Sequence, residues 1–136
     1  MAQVSLFRVI VPVANIEDGA AFYARLLGDP GERVATMRHY FECGAVILAC
    51  VQPFDHDAGA PAPTEDFRPN PDDLYFATND LEAAYERASS AGCAWLEDAI
   101  AARPWGERSF YLRDPFGNPL CFVEASTEFR GGRFVP

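Results

Sequence analysis

The chain has 136 residues and a mass of 15.0 kDa, which is the size of one globular domain. Its composition, 49% apolar and 23% charged residues, is typical of a folded protein rather than of a disordered or fibrous one. Eleven Lys and Arg residues against 20 Asp and Glu residues give a net charge of −9, whereas nucleic-acid-binding proteins usually carry a basic surface. We therefore predict that nucleic acids are not partners.

The apolar run near the start of the chain, Val9 to Ala14, is too short to span a bilayer and lacks the features of a signal peptide. The four cysteines show no CxxC spacing, and a cytosolic chain of this size needs no disulfides. We expect a cytoplasmic protein without membrane contacts, whose four cysteines are small buried hydrophobic side chains without disulfides.

The first half of the chain predicts a βαβββ order. Residues Leu6 to Val13, apolar except for Arg8, predict a strand that is covered on both faces or lies at a barrel seam. Asn15 can cap a helix from Ile16 to Leu27, whose apolar residues recur at helical spacing, and Gly28 is suited to end it. Strands are predicted next at Arg33 to Met37, His39 to Glu42 and Ala45 to Val51, with a turn at Cys43-Gly44.

Residues 52 to 72 hold five of the 11 prolines and show no apolar periodicity, which predicts a surface linker without folded elements. The βαβββ order then repeats, beginning with a strand at Leu74 to Thr78 and a helix capped by Asn79 or Asp80. Gly92 is predicted to end this helix. The remaining strands are predicted at Cys93 to Leu96, Glu107 to Arg113 and Leu120 to Val123.

The spacing of the helix signals indicates a repeat. The caps Asn15 and Asp80 lie 65 residues apart, and the two glycines that end the helices, Gly28 and Gly92, lie 64 residues apart. Repeats of this length indicate two similar modules that share a core. We assign residues 1–51 to the first module, 73–125 to the second and 126–136 to a tail, all within one structural domain.

The segment Asp114-Pro115-Phe116-Gly117 suits a type I turn before the last strand, and we interpret Asp114 and Asn118 as fixing that turn only. This turn, the paired βαβββ order and the helix residues Phe22-Tyr23 and Leu26-Leu27-Gly28 resemble the vicinal oxygen chelate superfamily. That superfamily includes glyoxalases, bleomycin-resistance proteins and ring-cleaving dioxygenases. The resemblance implies an α+β fold in which two βαβββ modules form a curled mixed sheet around a cleft, with the helices outside.

The resemblance also indicates where metal-using members hold their ligands. Counted back from the helix caps, the ligand positions in the first strand of each module correspond to Arg8 and Asp73. Counted forward from Asn118, the ligand position in the last strand corresponds to Cys121. Arg8 has no acceptor for a cation, and the segment Ala45 to Val51 offers no carboxylate or imidazole. We predict a cleft without a metal or other cofactor, although Asp73 and Cys121 leave a non-standard metal set open.

Strand alternation predicts which side chains would line the cleft together with these positions. Two interpretations of Arg8 stay open. It could pair only with Asp73, or it could hold a carboxylate or phosphate of a ligand through a two-pronged hydrogen bond, beside a stacking wall of Tyr75 and Trp105. The predicted cleft residues are Arg8, Ile10, Asp73, Tyr75, Trp105 and Cys121.

Two functions of different classes follow from these residues. The first is a protein similar to the bleomycin-resistance proteins, which binds a small molecule in a metal-free cleft. This molecule could be an anion. The alternative is a metal-dependent lyase, isomerase or dioxygenase with a non-standard ligand set. The lack of His and Glu at the matched positions favours binding. Open sheet edges also predict a homodimer, whose modules pair within or between chains.

Overall fold

The computed structural model describes residues 3–132, and its first module has the predicted βαβββ order. The elements are β1 (Arg8–Pro12), α1 (Ile16–Leu27), β2 (Glu32–Ala35), β3 (Arg38–Cys43) and β4 (Val46–Val51). The strands form a sheet of order β1-β4-β3-β2, in which only β1 and β4 are parallel. β1 and β2 are therefore the edges of this sheet.

Both ends of α1 are those predicted. The backbone of Asn15 is extended, and its side-chain oxygen accepts a hydrogen bond from the Asp18 amide at 2.9 Å. Gly28 adopts the left-handed conformation with φ 69°, which ends the helix and which a side chain would disfavour. The helix buries Phe22, Tyr23 and Leu26 against the sheet and the second module.

The linker contains more structure than its composition predicts. Two short strands, β5 (Phe54–Asp55) and β6 (Ala60–Pro61), form a ribbon, and a 3₁₀ turn follows at Thr64–Asp66. The Asp55 carboxylate accepts hydrogen bonds from the Asp57 and Ala58 amides, which closes the turn of the ribbon. Such a ribbon depends on turn chemistry, so apolar periodicity could not have revealed it.

The second module repeats the order of the first with one additional short strand at Ala101–Ala102, which the sequence did not predict. Its elements are β7 (Leu74–Thr78), α2 (Leu81–Ala91), β8 (Trp95–Leu96), β9 (Ala101–Ala102), β10 (Arg108–Arg113) and β11 (Pro119–Glu124). The sheet has the order β7-β11-β10-β8, with β9 also on β10, and β7 runs parallel to β11. Asp80 is the residue that caps α2, since its side chain accepts from the Ala83 amide. The α+β fold with helices on one side of curled sheets is thus confirmed.

The helices cover one face of each sheet, so the prediction that the first strand is covered on both faces is wrong for the single chain. β1 is also shorter than predicted. Val11 is buried under the helices, whereas Arg8 and Ile10 point the other way and are exposed, Ile10 by 49%. We call the side of each sheet that faces away from the helices its open face.

The modules are joined by packing and by hydrogen bonds between distant residues. Buried side chains of both modules form one hydrophobic cluster, in which α1 packs on α2. The Arg25 guanidinium donates to the Ala91 carbonyl near the end of α2, and the Arg87 guanidinium donates to the Leu26 carbonyl near the end of α1. These bonds satisfy carbonyls that a helix end leaves without internal partners.

The turn at Asp114 does more than reverse the chain, which corrects the interpretation that it fixes only the turn. The buried Asp114 carboxylate accepts a hydrogen bond from the Tyr23 hydroxyl of α1 at 2.6 Å. The Asn118 side-chain amide donates to the Pro12 carbonyl at 2.6 Å, while its oxygen accepts from the Asn70 amide. Two turn residues therefore hold the first module against the second.

The predicted tail begins in a 3₁₀ turn at Ala125–Thr127 and continues along the second sheet, where the Phe129 amide donates to Glu107 at 2.8 Å. Its last residues, Arg133 to Pro136, lie outside the described residues. Neither α1 nor α2 is long and apolar enough to cross a membrane.

Candidate functional site

A row of three side chains crosses the open face of the second sheet. Tyr111 of β10 lies opposite Cys121 of β11, and Cys121 lies beside Tyr75 of β7. Their neighbours in sequence, such as Phe110 and Phe122, point to the opposite face and are buried under the helices. The strand register therefore confirms that Tyr75 and Cys121 share a face and adds Tyr111 to it.

The two tyrosines of this row contact each other. Their hydroxyl oxygens are 3.5 Å apart, and their rings meet edge to face with centroids 6.3 Å apart. The hydrogen bond with Tyr75, together with burial, raises the pKa of Tyr111 well above its ordinary range. Tyr111 is therefore a neutral hydrogen-bond donor at physiological pH, and 60% of Tyr75 is open to contact from outside.

Cys121 is buried, with 1% of its surface exposed. Cys50 is buried as well, whereas Cys43 and Cys93 lie near strand or helix ends and are only partly buried, so the expectation of four buried cysteines is wrong for these two. Burial raises the pKa of the Cys121 thiol to about 11. The thiolate is the nucleophile, so a thiol whose pKa is raised in this way is a weak nucleophile at neutral pH. Cys121 thus forms part of the floor of this face.

An ion pair that the sequence did not predict supports Tyr111 from the side. The Arg103 guanidinium donates to both carboxylate oxygens of Glu97, at 2.5 and 3.1 Å, and to the Ser109 hydroxyl at 2.8 Å. It also lies 4.9 Å from the centre of the Tyr111 ring, while Glu97 accepts from the Tyr111 amide. The hydrogen bond from Arg103 lowers the pKa of Glu97. The pair is satisfied internally and fixes the ring of Tyr111 in place.

A cavity of about 430 Å³ lies over this face, next to the edge strand β7. Tyr75 and Trp105 line it together with Phe129 of the tail. The Trp105 indole N–H donates to one oxygen of Glu107, and the Phe129 amide donates to the other. One carboxylate therefore holds both the Trp105 loop and the tail beside the cavity. Its volume lies within the ordinary range of small-molecule sites.

A larger cavity, of about 740 Å³, lies between the two modules on the helix side of the sheets. Its walls are apolar side chains of both sheets, and Asp73 and Tyr75 also line it. The apolar residues from the two sheets are Val9, Phe41, Leu48, Leu74, Phe76 and Phe122. Arg8, Ile10 and Cys121 line neither of the two cavities.

Arg8 makes no ion pair with Asp73 in the described part of the chain, so the predicted pairing of these two residues is wrong. The Arg8 guanidinium instead lies over the rings of Phe7 and Tyr40, at 4.6 and 5.4 Å from their centres. Arg8 is exposed at the first residue of β1, so it needs no buried carboxylate. Its charge is balanced by aromatic faces and by solvent.

The structure thus divides the six predicted residues into groups. Tyr75 and Trp105 meet at one cavity, Cys121 lies in the sheet beside Tyr75, and Asp73 borders the larger cavity. Arg8 and Ile10 share the open face of the first sheet. Their common role as cleft residues stays a prediction.

The comparisons with known proteins agree with this architecture. A family model described as a glyoxalase-like domain matches residues 8–123. The chain belongs to this family. The match extends from the first residue of β1 almost to the end of β11, so it includes both modules of the glyoxalase-like fold and confirms the resemblance to the vicinal oxygen chelate superfamily.

Solved structures with the same fold include three bacterial proteins. A glyoxalase/bleomycin resistance protein from Albidiferax ferrireducens is 26% identical, with a TM-score of 0.68 over 88% of this chain and 97% of that chain. An integron cassette protein from V. cholerae is 24% identical, with a TM-score of 0.66 over 91% and 97%. A lactoylglutathione lyase from Agrobacterium tumefaciens is 20% identical, with a TM-score of 0.61 over 88% and 92%. No curated protein matches this glyoxalase-like chain significantly.

The metal centre of the superfamily does not fit the residues of this glyoxalase-like protein. Of the three positions matched in sequence, Arg8 has no lone pair to offer and Cys121 is buried in the sheet with 1% of its surface exposed, which leaves Asp73 as the one accessible ligand. Within residues 3–132, no three His, Cys, Asp or Glu side chains are grouped as metal ligands would be.

Proposed function

We propose that this glyoxalase-like protein binds a small molecule with a flat apolar part in a metal-free cleft over the open face of its second sheet. The observation that carries the proposal is the cavity beside β7, where Tyr75 and Trp105 are 60% and 48% exposed. Large aromatic side chains at a concave surface are typical of ligand contacts, because they offer much apolar area at little cost in conformational entropy.

The polar groups around this cavity favour binding over chemistry. The indole N–H of Trp105 is already bonded to Glu107, so its ring face is what a ligand would meet. The Tyr75 hydroxyl, which lies 3.5 Å from the Tyr111 hydroxyl, can orient a ligand oxygen or nitrogen. Cys121 lacks the thiolate character of a nucleophile.

We extend the proposal to a homodimer in the cytoplasm. Edge strands β1 and β7 each have one unpaired side, and apolar side chains next to β1 are largely exposed: Val4 by 82%, Leu6 by 68% and Phe7 by 61%. Unpaired edges with apolar side chains favour association, and a second copy would cover them. Four free cysteines are compatible with a reducing compartment.

The two tryptophans provide a test of the ligand site. Trp105 lines the cavity, whereas Trp95 is similarly exposed, at 51%, on β8 and does not line it. The Trp95→Phe variant leaves Trp105 as the only indole, and the Trp105→Phe variant leaves only Trp95. We would titrate both variants with a panel of small aromatic acids, amines and neutral compounds and follow the indole emission.

We expect at least one compound to change the Trp105 emission in a saturable way and to leave the Trp95 emission unchanged. Adding Tyr75→Ala to the Trp95→Phe variant should lower the affinity for that compound by roughly tenfold, because a stacking contact contributes about 1 kcal/mol or more to binding. Equal responses from both indoles, or a response that Tyr75→Ala does not weaken, would argue against this site.

A further inference from the structure

Two arginines meet at one tyrosine on the open face of the first sheet. The Arg8 guanidinium lies over the ring of Tyr40, 5.4 Å from its centre. The Arg38 guanidinium donates to the Tyr40 hydroxyl at 2.9 Å. Arg8 belongs to β1 and Arg38 to β3, so the sheet brings together two cations that lie 30 residues apart in sequence. Tyr75 and Trp105 belong to the other module.

Neither cation is neutralised by an acid in the described part of the chain. Arg8 and Arg38 form no ion pair, although the protein carries nine more acidic than basic side chains. Glu42 lies on the same face of β3, opposite Ile47, which also neighbours Arg8, and yet it bonds to neither arginine. The arginines that do form ion pairs with carboxylates are Arg33, Arg103, Arg108 and Arg130.

Two positive charges that share one tyrosine repel each other, and an anion between them would remove that repulsion. A guanidinium offers paired N–H donors that match the oxygens of a phosphate or carboxylate. Two guanidiniums present a double positive charge, which a phosphate monoester matches better than a single carboxylate does, because it carries up to two negative charges and three acceptor oxygens.

We propose that Arg8, Arg38 and Tyr40 form a binding site for a doubly charged anionic group, of the chemical class of a phosphate monoester. Arg8 contributes a solvent-exposed guanidinium over the face of the Tyr40 ring. The Tyr40 hydroxyl holds the Arg38 guanidinium in place. The inference is independent of the proposed function, which gives Arg8 no role, and agrees with the sequence-based prediction that Arg8 anchors an acidic ligand. It adds Arg38 and the charge of the group that is bound.

The probe is inorganic phosphate, with acetate as the singly charged comparison, measured by titration calorimetry at low ionic strength and pH 7.5. We expect one phosphate per chain and an affinity about tenfold higher than that for acetate. Arg8→Gln and Arg38→Gln should each lower the affinity for phosphate by roughly tenfold, and the double variant should abolish phosphate binding. Arg113→Gln is the matched control, since Arg113 is exposed on the second sheet and donates only to the Gly117 carbonyl.

Three results would overturn the anion site. One is phosphate binding that the double variant retains, and a second is a loss that Arg113→Gln reproduces. The third comes from light scattering on the same samples: if the double variant turns a dimer into a monomer while phosphate does not bind the parent, the two arginines meet acids of a second copy. Circular dichroism of each variant checks that the fold is kept.

The Arg8→Gln and Arg38→Gln variants, made in the Trp95→Phe background, are also titrated with the panel of small compounds. A Trp105 response without phosphate binding would refute the anion site alone and leave the proposed function in place. Phosphate binding without any Trp105 response would refute the aromatic site and leave the anion site in place.

Discussion

Replacing Asp114 by Ala is expected to lower the free energy of unfolding by about 4 kcal/mol, or to prevent folding. The carboxylate is fully buried and accepts four hydrogen bonds. The donors are the Phe116 amide (2.9 Å), the Asn118 amide (2.8 Å), the Asn118 side chain (2.8 Å) and the Tyr23 hydroxyl (2.6 Å). The substitution leaves these donors unsatisfied in the core and removes one of the hydrogen bonds that join the modules. Urea unfolding followed by circular dichroism measures the loss.

The exposed Asp57 is the matched control for Asp114, and Asp57→Ala should change the free energy of unfolding by less than about 0.5 kcal/mol. Tyr23→Phe removes only the hydrogen bond from the Tyr23 hydroxyl to Asp114 and should lower the free energy of unfolding by about 2 kcal/mol. A loss near zero for Asp114→Ala would contradict the role of this carboxylate as a joint between the modules.

The pH dependence of the Tyr23→Phe variant isolates the same bond. Burial, followed by the nearby Asp114 charge, raises the pKa of Tyr23 well above its ordinary value of 10.0. Above that value an unfolded tyrosine loses its proton while the folded one keeps it, so the contribution of the Tyr23 hydroxyl is complete below pH 10 and declines as the pH rises further. The stability of the parent should therefore fall more steeply above pH 10 than that of Tyr23→Phe.

Gly31→Ala is expected to cost about 3 kcal/mol, measured by the same urea unfolding. Gly31 connects α1 to β2 with φ 63°, a conformation that disfavours a side chain. A Cβ at this position would lie 2.6 Å from the Phe41 ring and 2.7 Å from the Tyr40 carbonyl oxygen. Backbone strain and a clash with β3 therefore add together.

Gly44 provides a control with the same backbone strain and no clash. Its φ is 62°, and a Cβ there would meet no atom within 4 Å, so Gly44→Ala should cost only about 1 kcal/mol. Equal costs for the two variants would show that the contact with β3 is unimportant. Because the clash acts on Tyr40, Gly31→Ala should also weaken phosphate binding, whereas Gly44→Ala should not.

The fold could be predicted from sequence because its signals are local. Asn15, Gly28 and Asp80 mark helix ends through bonds to their own neighbouring residues, so the helices are found without knowledge of the tertiary structure. The turn at Asp114 was recognised for the same reason. Its bond to Tyr23, 91 residues away, was missed because it depends on how the modules pack.

The candidate site was only partly predictable. Alternation along β10 contains the signal for Tyr111, because Phe110 and Leu112 are plainly core residues and their neighbour must point to the open face. No comparable pattern marks Glu97 and Arg103, which lie in irregular segments and meet only in the fold. The Arg8–Asp73 pair was predicted on the premise that Arg8 is buried, and its exposure removes that premise.

The measurement that tests the metal-free cleft most directly is elemental analysis of protein purified without chelator, combined with ligand titration of the Trp95→Phe variant before and after dialysis against EDTA. We expect no stoichiometric zinc, iron, manganese or nickel and the same Trp105 response in both titrations. Near-stoichiometric metal that Asp73→Ala or Cys121→Ser removes, together with a Trp105 response lost after EDTA, would contradict it.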